Sequence, residues 1–100
     1  MDSNDKRIIR LIRVSDELGI LAQNQEFVSE YAGLSIGNTK RALQQCEELA
    51  QERNLTKEFE FCLDELDHSS YKVGKGLFIE GAVYAKTVIF YFMTLLFRNE

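Results

Sequence analysis

The chain contains no proline and only 6 glycines in 100 residues, which removes most of the punctuation that strands and tight turns require. Leu, Glu, Ala, Lys, Arg and Gln fill its interior instead, a helix-forming composition. Histidine occurs once and cysteine twice. That is too few for a zinc site or a disulfide framework, and no Cys-His pair is placed to generate a nucleophile. Cys46 and Cys62 fall on apolar helical faces either side of a predicted helix break, so both are expected to be reduced and buried. A long run of purely apolar residues is also missing. The carboxyl-terminal stretch from Gly76 to Phe97 would make a helix of about 33 Å, close to a bilayer core. Glu80 and Lys86 interrupt it, however, and its longest uninterrupted part is Thr87 to Phe97, so membrane insertion is not expected. The opening MDSNDKRIIRLIR has mixed charge and lacks an apolar segment ending in small residues, which reads as no signal peptide and a cytoplasmic location.

Enzyme signatures are absent in the same way. VGKG is not a phosphate-binding loop, because no glycine precedes it at the required distance and no Ser or Thr follows its lysine. The acidic pairs Asp64 with Asp67 and Glu60 with Asp64 look solvated, so no carboxylate has a reason to act as an acid or base. His68, with Lys72 after it, is similar to the centre of a histidine phosphotransfer domain. The lysine follows by four residues instead of three, and Asp64, Glu65 and Asp67 repel an incoming anion, so His68 reads as an exposed residue near a helix end. Neither catalysis nor a metal or cofactor is expected.

What the chain does have is helical periodicity. With 45% hydrophobic residues it is long enough for one domain, residues 1–100, around one modest core. Five runs follow the helical repeat. The first extends from about Asp5 to Leu18 or beyond, with Ile8, Leu11, Ile12 and Leu18 on one side and Gly19 ending or bending it. The second is Gln25 to Ala32, closed by Gly33. The third starts at Ser35 and carries Thr39, Ala42, Leu43, Cys46, Leu49 and Ala50. The fourth starts at Thr56, after the candidate cap Asn54, and carries Phe59, Cys62, Leu63, Leu66 and Val73. Gly74 and Gly76 mark the last connection.

The fifth run is apolar nearly all round. Glu80, Tyr84, Thr87, Tyr91, Thr94 and Arg98 draw one narrow polar stripe down it, and Gly81, Ala82 and Ala85 permit a close helix crossing. Most of such a rod must be covered. The expected fold is therefore an all-α, compact bundle of four to five helices with a central apolar carboxyl-terminal helix. Its aromatic end (Phe90, Tyr91, Phe92, Phe97) points to a homo-oligomer, a dimer in the first instance.

The net charge of −4 is unevenly placed. Residues 1–45 are balanced, Asp2 and Asp5 included, whereas from Glu47 to Asp67 eight acids face only Arg53 and Lys57. Such a belt attracts a basic partner. The favoured function is accordingly a small non-enzymatic regulatory or inhibitory protein that engages another protein through this acidic surface. Glu58, Glu60, Asp64, Glu65 and Asp67 would be its contact residues.

A second reading starts from QEFVSEYAGLSIGNTKRAL. Val28 and Ala32 would be buried in a first helix, Gly33 would turn, Leu34 would plug the corner and Ser35 would cap a second helix. The segment resembles the helix-turn-helix of bacterial regulators, departing from its pattern at Ser29 and Thr39. The resemblance implies a DNA-binding regulator using residues 25–45, with Asn38, Lys40, Arg41, Gln44 and Gln45 facing DNA.

Overall fold

In the computed structural model, which describes residues 5–98, the chain is all-α. Five helices follow one another: α1 (Lys6–Ala22), α2 (Val28–Gln44), α3 (Glu47–Glu52), α4 (Thr56–Gly74) and α5 (Phe78–Arg98). Asp2, counted above in the amino-terminal charge balance, lies outside the described residues.

Local chemistry explains three of the boundaries. Asp5 caps α1, its carboxylate accepting from the Arg7 backbone N–H at 2.9 Å. Asn54 takes a left-handed φ of 57° after α3, and the Leu55 N–H donates back to the Ala50 carbonyl at 2.8 Å. The same closure ends α4, with Gly76 at φ 83° and the Leu77 N–H on the Lys72 carbonyl at 2.9 Å. Both are Schellman-type ends, which need a residue that tolerates positive φ.

Two expected boundaries are overturned. No turn forms at Gly33: α2 runs unbroken through Gly33, Ser35 and Gly37, so the second run and the start of the third are one helix. The reason is the buried series Val28, Ala32, Ile36, Thr39 and Leu43, which keeps helical spacing straight across both glycines. Each glycine costs a helix about 1 kcal/mol, less than burial of this stripe returns. The third run instead breaks at Gln45–Cys46, and the short α3 lays Leu49 and Ala50 against α4. At the other doubtful glycine, Gly19, α1 continues to Ala22.

α5 packs against α1, α2 and α4. Its inner face buries Gly81, Ala82, Ala85, Val88, Ile89, Phe92 and Leu96. These meet Ile8, Leu11 and Leu18 of α1, Ile36 and Leu43 of α2, and Phe59, Cys62 and Leu66 of α4 in one core. The Phe59 and Phe92 rings stand 5.9 Å apart at its centre. A smaller cluster of Leu21, Val28 and Ala32 closes the end where α4 turns into α5. The close crossing is at Gly81, where an added Cβ would lie 2.7 Å from Val73 Cγ2 and 3.0 Å from the Ser69 carbonyl oxygen. By length and composition α5 could cross a membrane, and within this fold 39% of its most apolar window is buried.

Candidate functional site

The five acids expected on one surface separate onto two edges of α4. Glu60, Asp64 and Asp67 advance by four and three residues and form an exposed row on the outer face. Tyr71 is four residues further on, continues the row and is 66% exposed, enough to leave most of its ring in water. The Lys75 ammonium sits 5.3 Å from the ring centre, and Asp67, His68 and Tyr71 line a shallow cleft. Tyr71 is not among the acidic residues expected on this surface, and its spacing from Asp64 and Asp67 places it on the same row.

Glu58 and Glu65 lie on the edge of α4 that turns toward α5, and both are half-buried. Glu65 accepts a hydrogen bond from the Tyr84 hydroxyl. One buried carboxylate oxygen of Glu58 has no hydrogen-bond partner among the described residues. Beside them the Phe61 and Tyr91 rings meet edge to face at 6.3 Å. The Lys72 ammonium lies 5.6 Å from the Tyr84 ring centre. This edge therefore serves the α4–α5 contact, and of the five acids only Glu60, Asp64 and Asp67 stay exposed.

The residues expected to face DNA also divide. Lys40 and Gln44 lie on the α4 side of α2, where Lys40 Nζ donates to Asp67 Oδ1 at 2.6 Å across the helix pair. Both side chains are partly exposed, so the pair contributes at most about 1 kcal/mol, and its effect is to hold α2 and α4 in register. Asn38, Arg41 and Gln45 lie toward α1. There Arg41 donates to Asn38, and Arg10 Nη1 donates to Gln45 Oε1 at 2.8 Å.

With the Gly33 turn absent, residues 25–45 do not form the two-helix unit that places a recognition helix in a groove. Leu34, expected to plug its corner, is 60% exposed, and Ser35 lies inside the helix with its carbonyl accepting the Thr39 hydroxyl at 2.8 Å. In place of that motif is an open groove of about 600 Å³ between α1 and α2, lined by Lys6, Arg10, Arg13 and Asn38 with Glu17 among them. These cations recur at four and three residues along α1, but only the packing of α1 on α2 brings them beside Asn38 and Gln45.

Neither thiol is placed to react. Cys46 and Cys62 are free and buried. Burial pushes the Cys46 thiol up to about 11 and the Cys62 thiol up to about 12, Glu65 and Glu58 adding to the second shift, so both stay protonated at neutral pH. Among the described residues no group of His, Cys, Asp and Glu has the arrangement of a metal site. The chain matches no protein-family model, no curated protein and no solved structure.

Proposed function

We propose that this chain is a small non-enzymatic regulatory or inhibitory protein that binds another protein through the outer face of α4. The observation that carries the reading is the exposed row Glu60, Asp64, Asp67 and Tyr71 on one rigid helix. A row of carboxylates steers a basic surface toward it and raises the association rate. An exposed tyrosine supplies a broad apolar contact with a polar tip, the kind of side chain that dominates binding energy when a partner covers it. Phe59, Cys62 and Leu66 anchor α4 in the core, which fixes the helix that carries the row and lowers the ordering cost of binding.

The test is capture from native cell extract on the immobilised chain, followed by titration of the captured protein. Glu60→Lys/Asp64→Lys is expected to weaken the complex about tenfold or more and to reduce its sensitivity to salt. Tyr71→Ala is expected to accelerate dissociation. Arg41→Ala, on the opposite side of α2, should leave binding unchanged. Retention of nucleic acid instead of protein, lost in Arg10→Ala/Arg13→Ala, would transfer the functional surface to the α1–α2 groove and overturn this reading.

A further inference from the structure

The outer side of α5 leaves a row of large apolar side chains uncovered. Val83, Phe90, Tyr91 and Phe97 are 47%, 64%, 43% and 47% exposed, and all four lie opposite the buried Ala85, Ile89, Phe92 and Leu96. Val83, Thr87, Phe90, Thr94 and Phe97 advance by four, three, four and three residues. That is the a/d spacing with which one helix packs along another. The two threonines do not make the seam wet. Thr87 Oγ1 donates to the Val83 carbonyl and Thr94 Oγ1 to the Phe90 carbonyl, each at 2.9 Å, so each hydroxyl is satisfied within its own helix.

Charge selects the occupant. The seam carries Glu80 near its amino-terminal end and Arg98 at its carboxyl-terminal end, both exposed, with only uncharged residues along the line between them. They are separated by about 27 Å of helix. We propose that this face pairs with the same face of a second copy, the two α5 helices antiparallel about a two-fold axis near residue 89. Glu80 of each copy then meets Arg98 of the other, twice by symmetry, and Thr87 lies beside Tyr91 near the axis. A parallel pair would set Glu80 against Glu80 and Arg98 against Arg98. Antiparallel packing also opposes the two helix dipoles. The α4 row is a different face, so this assembly stands or falls independently of the binding role proposed above.

The experiment is analytical ultracentrifugation of the full chain over a concentration series, with circular dichroism of every variant. The wild-type chain is expected to sediment as a dimer. Phe90→Glu is expected to sediment as a monomer with unchanged helical signal, since that side chain is already mostly in water. Glu80→Arg and Arg98→Glu should each weaken the dimer, by roughly tenfold if each symmetric pair turns from attraction to repulsion. The double variant Glu80→Arg/Arg98→Glu should recover wild-type affinity. A wild-type chain that stays monomeric at high micromolar concentration would overturn the proposal. So would a dimer indifferent to Phe90→Glu, single charge reversals that the double variant does not rescue, or flotation of the chain with phosphatidylcholine vesicles through this face.

Discussion

Asp5 is the clearest case of one side chain deciding a local structure. Its carboxylate accepts from the Arg7 backbone N–H at 2.9 Å and from Arg7 Nε and Nη2 at 3.1 and 2.8 Å. The Arg7 guanidinium holds its pKa down, from 3.8 to about 2. A carboxyl whose folded pKa is depressed contributes stability above its unfolded pKa and loses it as the pH falls through the folded one. Asp5→Asn should therefore keep most of the cap but lose the part of acid stability that wild type gives up between about pH 4 and pH 2. Asp5→Ala should also cost about 1 kcal/mol at neutral pH, both read by urea unfolding against pH. The start of α1 at Asp5 was legible because a capping residue preceded an apolar repeat. The ion pair with Arg7 was not, since side-chain rotamers do not follow from spacing.

At the scale of elements, two glycines give opposite forecasts. Gly33 lies in the middle of α2 with nothing within 4 Å of where a Cβ would stand. Gly33→Ala should stabilise the protein by about 0.5–1 kcal/mol in a thermal or urea melt; a helix-turn-helix with a left-handed glycine there would be destabilised by the same change. Gly81→Ala gains the same helix propensity but drives its Cβ to 2.7 Å from Val73 Cγ2. A net loss of about 1–3 kcal/mol is expected, because backbone as well as side chain of α4 must retreat. The sequence contained the information to tell these glycines apart. Val28, Ala32, Ile36, Thr39 and Leu43 hold one helical face across Gly33, whereas the local pattern Ala-Gly-Leu-Ser imitates a turn. Long-range periodicity prevailed over the local motif because the buried stripe outweighs two glycine penalties.

For the whole molecule, one main core draws on all five helices, and in it Phe92 is fully buried against Phe59. Phe92→Ala should cost about 3–5 kcal/mol, measured as a lowered urea midpoint. That is a large share of the 5–15 kcal/mol or so by which small domains are stable. That α5 is the spine was readable from its composition, because an apolar rod of that length must be buried. The sequence pointed to an uncovered aromatic end at Phe90, Tyr91 and Phe97, but not to the burial of Phe92 or the exposure of Val83, since coverage depends on where α1 and α4 lie beside it. The acids of α4 show the same division: their number was plain, but their partition between an outer row and the α5 edge followed from how α4 rolls onto the core. By itself, then, the sequence determined the all-α class, the helix ends at Asp5, Asn54 and Gly76 and the apolar spine, because these follow from interactions among residues a few positions apart. Only the tertiary structure decided which charges and aromatic rings of different helices share a surface, since that depends on how the helices rotate and pack to bury their stripes together.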